Sequence, residues 1–157
     1  MKNWVFSKAS RLRRVLNLWP PFLFTGIKIV ELSEDFRYCR VRLKRRPWNQ
    51  NANNSQYGGS MFSMTDPILP LMLMGHLGKE YHVWDREAAI RFDKPGLSDI
   101  QAEFELTDGL LAEIEKATET GEKHFPQVAV QLKDARGEAV AEVRRTLYVR
   151  LKRKYRP

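Results

Sequence analysis

Along this chain, stretches in which apolar and polar residues alternate one by one are interleaved with stretches spaced for helices. Ile27 to Leu32 and Phe36 to Lys44 read as two strands joined by a Ser33-Glu34-Asp35 turn. In the second, Cys39, Val41 and Leu43 alternate with Tyr38, Arg40, Arg42 and Lys44, which is period two with one wet face. Further on, Ala88, Ile90 and Phe92 alternate with Arg91 and Asp93 before a Lys94-Pro95-Gly96 turn. Ile100, Ala102, Phe104 and Leu106 then alternate with Gln101, Glu103 and Glu105. Val128, Val130 and Leu132 form the next strand, and Asp134 to Gly137 supplies a tight hairpin turn. The last strand is long, with Ala139, Ala141, Val143, Leu147, Val149 and Leu151 falling on one side.

Three segments carry helical spacing. Residues 1–20 read as a basic amphipathic surface helix ended by Pro20 and Pro21. Arg11, Arg13 and Arg14 interrupt its apolar residues, so it lacks the apolar run of a leader peptide. A peripheral membrane contact is the alternative reading of this segment. Residues 57–76 form a central helix that is apolar nearly all round and should be buried on most sides. Pro67 and Pro70 within it predict a kink or a break near Asp66. Thr107-Asp108 caps an inserted helix over 108–119 with Leu110, Leu111 and Ile114 inward, and Gly121 ends it. The layout is an α+β fold, an antiparallel sheet closed over one apolar helix, and 157 residues fit a single domain over 1–157.

The charge balance of +8, from 27 Lys and Arg against 19 Asp and Glu, favours an anionic partner such as a polyphosphate ligand, an acidic protein, a membrane surface or nucleic acid. The excess gathers at Lys8 to Arg14, Arg37 to Arg46 and Arg144 to Arg156. Nucleic acid is disfavoured, because no recognisable module or basic, aromatic-studded sheet face accompanies the charge. No stretch reaches the roughly 18 to 20 apolar residues of a membrane span. The lone cysteine, Cys39, rules out an intrachain disulfide, reads as a core residue and favours a cytoplasmic protein. No His, Cys or carboxylate cluster has metal-ligand spacing, and His76, His82 and His124 read as ordinary histidines.

The chemistry concentrates between Asn49 and Met74, where an amide-rich loop leads through Gly58-Gly59 into an apolar segment carrying one acid, Asp66. A lone carboxylate among Met61, Phe62, Met64, Ile68, Leu69 and Leu71 is costly to bury unless paired, protonated or used. Two readings stay open. An acid before proline caps or bends the helix, or it serves a site. The glycines let a ligand approach backbone N–H groups at a helix start. Met61, Met64, Met72 and Met74 are either plain core or the lining of an adaptable pocket.

Asn51, Tyr57-Gly58-Gly59 and Asp66 resemble, without a gap, a pattern of the hotdog fold. In its phenylacetyl-CoA-thioesterase-like branch an asparagine precedes His-Gly-Gly, with an aspartate seven residues on. Ile90 to Gly96 resembles the strand after the central helix, and Asp134 to Leu151 the closing hairpin. The likeness spans Gly26 to Leu151 and extends best to a subgroup carrying Asp-Pro in the helix. The family's histidine is Tyr57 here. The resemblance implies an acyl-CoA thioesterase, with a non-catalytic acyl or acyl-CoA binding protein as the alternative. Asp66 would be base or nucleophile, and Gly58 and Gly59 the oxyanion donors. Asn51, Tyr57, Ser60, Thr65, Arg91 and Lys94 would meet the substrate, the two cations forming a rim for phosphates unless they are merely solvated. Coenzyme A enters as part of the substrate, an acyl carrier protein is the other carrier, and no separate cofactor is expected. Seven residues of helix rise about 10.5 Å, too far for both halves to reach one carbonyl in one subunit. A site shared between protomers follows, and the resemblance likewise implies a homodimer or homotetramer.

Overall fold

A computed structural model of the protein describes residues 3–157. The alternating segments form β1 (Ile27–Leu32), β2 (Tyr38–Leu43), β3 (Tyr81–Phe92), β4 (Ile100–Glu105), β5 (Gln127–Lys133) and β6 (Ala139–Leu151). They make one antiparallel sheet in the order β1-β2-β4-β5-β6-β3. Register aligns the apolar positions of neighbours: Ile29 faces Val41, Val41 faces Ala102, and Leu43 faces Ile100, all buried. Each Leu, Ile or Phe so buried contributes about 1.5–3 kcal/mol relative to exposure. Cys39 lies in this inward row, where burial pushes its thiol up to about 12. We expect native protein to stay unlabelled by a disulfide reagent such as Ellman's at neutral pH, with one thiol appearing on denaturation. Rapid labelling of the folded protein would contradict this burial.

The helices are α1 (Ala9–Leu18), α2 (Pro20–Thr25), α3 (Gly58–Ser63), α4 (Ile68–Leu77) and α5 (Asp108–Thr118). Met1 and Lys2 of the expected 1–20 helix lie outside the described residues, and a 3-10 turn over Asn3–Ser7 leads into α1. Pro20 and Pro21 do not simply end this helix. They open α2, because proline at the first helical positions gives up only a donor that has no partner there. Among the described residues no helix is long and apolar enough to cross a membrane.

The central segment runs as two helices rather than one. α3 stops at Ser63, residues 64–67 form a turn with a cis Asp66–Pro67 bond, and α4 restarts at Ile68. Pro70 falls in the first turn of α4, where its missing N–H costs no intrahelical bond. Ile68 through Leu73 are all buried, so this part of α4 has no polar face and sits inside the curl of the sheet, and only the last turn reaches solvent, at His76. Gly75 lets the ring of Phe36 lie directly on the α4 backbone, where a Cβ would collide with it.

Two strands differ from their sequence pattern for one reason. β3 begins at Tyr81, well before Ala88, but its register against β6 shifts between Asp85 and Glu87. That bulge flips the parity of inward positions, so Val83 and Asp85 are continued by Ala88 and Ile90 and no alternation spans the strand. A second shift, between Leu132 and Lys133 against β6, turns Ala139 outward and Val140 inward, against the sequence expectation for Ala139.

Candidate functional site

Asp66 is not the buried acid that its apolar neighbours predict. The turn between α3 and α4 carries its side chain to the surface, 59% exposed, while Thr65 and Ile68 on either side are buried. Beneath it lies a buried cation. Arg145 occupies an inward position of β6 between Val143 and Leu147, and its side chain is 1% exposed. Its Nε and Nη2 donate to Thr65 Oγ1 at 3.2 and 2.9 Å, and the Thr65 hydroxyl donates to the Phe62 carbonyl at 2.8 Å. Its Nη1 lies 2.9 Å from Asp85 Oδ2 and 3.8 Å from Asp66 Oδ2, and its guanidinium sits 5.4 Å from the Phe62 ring centre.

One guanidinium therefore serves two carboxylates and a hydroxyl across β6, β3 and the helix break. Burial pushes the Asp85 carboxyl above its ordinary 3.8. The Arg145 charge and hydrogen bond oppose that shift, and the Asp66 charge adds to it. Asp85 Oδ1 is buried and finds no hydrogen-bond partner among the described residues. The sequence reading named Thr65 but missed Arg145 and Asp85. A charge in the inward row of an otherwise apolar strand was the available signal for Arg145. The β3 bulge erased any such signal for Asp85.

The other half of the expected site lies at the start of α3. Ser60 and Met61 donate back to the Tyr57 carbonyl, at 2.9 and 3.1 Å, so the N–H groups of Gly58 and Gly59 remain first-turn donors outside the helical ladder. Gly58 opens on a groove of about 450 Å³, together with Asn51, Gln56, Met61, Phe92 and Lys94. The Phe92 ring lies against Gly58 and the Tyr57 ring against Gly59, so neither glycine has room for a side chain without displacing an aromatic. Asn51 Oδ1 is committed to its own loop, accepting from the N–H groups of Asn53 at 2.9 Å and Ser55 at 3.2 Å. Gln56, unnoticed in the sequence, is buried, and its Oε1 lacks a partner among the described residues while its Nε2 donates to Ser98 O at 3.1 Å.

The structure brings Gly58, Asn51 and Lys94 to one groove and sets Asp66, with Thr65, apart from it. Ser60 is buried beneath, and Tyr57 stands largely exposed. The two rim cations are already engaged. Lys94 pairs with Asp134 at 3.2 Å and with Glu138, and Arg91 pairs with Asp93 at 2.8 Å and Glu142 at 3.6 Å. Met61, Met64 and Met72 are core, with Met61 alone of them reaching the groove. His76 Nδ1 bonds the Asp35 carbonyl at 2.9 Å, and His124 Nε2 bonds Glu113 at 2.8 Å. No group of three His, Cys, Asp or Glu able to hold a metal occurs among the described residues.

A six-stranded antiparallel sheet curled around a central helical segment, with glycines at the segment's start, is the hotdog fold. Residues 3–149 match the family described as a domain of unknown function (DUF4442), and the chain belongs to that family. Solved structures share the fold. A Pseudomonas aeruginosa protein of unknown function, called a "probable thioesterase", is 23% identical with a TM-score of 0.77 over 89% of this chain and 93% of its own. A thioesterase from Haemophilus influenzae is 14% identical with a TM-score of 0.67, covering 91% of this chain and 90% of its own. The PaaI protein of Escherichia coli, from the phenylacetic acid degradation operon, is 16% identical with a TM-score of 0.59, covering 83% of each chain. Comparison with curated protein sequences finds no match.

Proposed function

We propose that the protein hydrolyses an acyl thioester of coenzyme A or an acyl carrier protein, at a site built from two copies of the chain. The reading rests on one observation: Gly58 opens on a groove that Asp66, exposed on the turn between α3 and α4, does not line. Neither half alone can activate water and hold the oxyanion, whereas the two halves on facing copies would supply both. In the reaction, Asp66 takes a proton from water as the water oxygen attacks the thioester carbonyl. The N–H groups of Gly58 and Gly59 hold the oxygen that gains charge. Collapse breaks the C–S bond, and the departing thiolate recovers the proton from Asp66, leaving a carboxylic acid and a thiol.

Lys94 at the groove mouth is the cation suited to meet a phosphate of the carrier, exchanging a carboxylate partner for it. Hotdog neighbours called thioesterases support the hydrolytic class. A binding protein without turnover is the second reading, favoured by the Tyr57 ring that lies over Gly59.

Mixing tests the shared site. Asp66→Asn and Gly59→Val chains are each expected to lose at least about 10²-fold in turnover on a panel of acyl-CoAs. Co-refolded, they should recover part of wild-type turnover, because a mixed pair retains one intact Gly-and-Asp site. Wild-type binding without turnover would favour the second reading. Failure of the mixture to recover, with mixed oligomers present, would overturn the shared site.

A further inference from the structure

Leu18-Trp19-Pro20-Pro21-Phe22-Leu23-Phe24 is a run of seven apolar residues, and the fold buries only one of them, Phe22. Phe24 is 72% exposed and Leu18 71%. The run spans the end of α1 and most of α2, and it does not stand alone. The 3-10 turn Pro47–Asn49, which follows β2, docks beside it. There Trp48 Nε1 donates to the Phe24 carbonyl at 3.0 Å, and Asn49 Nδ2 donates to the Thr25 carbonyl at 2.9 Å. Trp48 is itself 69% exposed. Two segments distant in sequence, joined by these bonds, thus present Leu18, Trp19, Leu23, Phe24 and Trp48 as exposed apolar side chains of one tip. Solvated apolar surface concentrated in this way marks an interaction surface.

The chemistry around the tip identifies the partner. From the first residue to Val30 the sequence has six Lys and Arg and no acid, and between Asp35 and Asp66 it has six more and no acid. Arg14 lies one turn before Leu18 on α1, and both are exposed. Lys44, Arg45 and Arg46 lead into the turn, with Arg46 stacked 5.5 Å from the Trp48 ring. Lys28 faces Arg42 directly across β1 and β2, a like-charge pair that an anionic neighbour would relieve. Of these cations Arg37 pairs with Asp108 at 2.6 Å and Arg40 with Glu31 at 3.1 Å, away from the turn, and at the turn itself the Asp99 carboxylate accepts from the Arg45 backbone N–H at 2.9 Å.

We infer that this tip inserts into the headgroup region of an anionic lipid bilayer, with the surrounding cations on the lipid phosphates. Tryptophan and phenylalanine at the tip and Lys and Arg around it suit the two layers of that interface. A second copy of the chain is the poorer occupant. A two-fold contact through this patch would set the cationic rim against itself.

Flotation of the full chain with vesicles tests the inference. Wild type should rise with vesicles of phosphatidylcholine mixed with phosphatidylglycerol, stay behind with phosphatidylcholine alone, and detach as salt increases. Phe24→Ala and Phe24→Ala/Trp48→Ala remove exposed rings. They should keep the wild-type melting temperature, and the double variant should bind the mixed vesicles at least about tenfold more weakly. Equal binding by wild type and the folded Phe24→Ala variant would overturn the inference. So would absence of wild-type binding to both vesicles, or a fall in oligomer mass on substituting Phe24, which would assign the patch to a second copy.

Discussion

Asp66→Asn is expected to lower turnover of a cleaved acyl-CoA by about 10²- to 10⁴-fold, the range lost with a positioned general base. The melting temperature should stay near that of wild type. The two expectations follow from the same geometry. Asparagine matches aspartate in shape but cannot take the proton of an attacking water. Structurally the side chain has little to lose. It is mostly solvated, and its 3.8 Å approach to Arg145 is the longest polar contact that the guanidinium makes. With its carboxylate solvated and 3.8 Å from the guanidinium, such a contact is worth about 0–1 kcal/mol. Steady-state rates on an acyl-CoA panel, beside a thermal melt, separate the two effects. Equal rates would leave Asp66 as a residue that merely shapes the turn before Pro67.

Arg145→Met should show the opposite signature, a large loss of stability. The substitution keeps an apolar stem as far as the position of Nε but strips the guanidinium from Asp85 and Thr65. Asp85 Oδ2 loses its 2.9 Å ion pair, and Oδ1 already has no hydrogen-bond partner among the described residues. Breaking a buried pair from one side costs about 3–5 kcal/mol, readable as a shift of the urea midpoint at unchanged m-value. Adding Asp85→Asn should return much of the loss by removing the stranded charge. A single-variant cost below about 1 kcal/mol would mean that the cluster is not desolvated in the folded protein.

The pH dependence of that deficit has a definite sign. The folded state already holds the Asp85 proton to higher pH than the ordinary 3.8, and loss of Arg145 removes what opposes this shift. A carboxyl raised on folding binds more protons folded than unfolded, so stability falls as pH rises through its folded value. The Arg145→Met deficit should therefore be small in acid and full at neutral pH.

Parts of the site were visible in residue order because they are local. Gly58-Gly59 announces an accessible helix start, and Pro67 and Pro70 announce an interruption beside Asp66, whatever the rest of the chain does. The side on which Asp66 emerges was not legible. The apolar neighbours that made it look buried belong to α3 and α4, and the turn between these helices aims its side chain away from them. Arg145 stood in plain view as a charge between Val143 and Leu147. Its partner Thr65 lies 80 residues away in sequence, and nothing local connects the two.

By itself the sequence determined the antiparallel sheet, the apolar central segment and its interruption, and the excess of cations near the N-terminus and β2. These follow from side-chain period, proline chemistry and charge, each of which acts over a few residues. Only the tertiary structure decided that Arg145 meets Asp85 and Thr65, that Asp66 is solvated above them, and that Trp48 joins Phe24 in one exposed tip. Those outcomes depend on strand register, on the β3 bulge that reverses which residues face inward, and on a turn docking against a distant helix. A shift of one residue in any of these would exchange buried for exposed positions while leaving every local pattern unchanged.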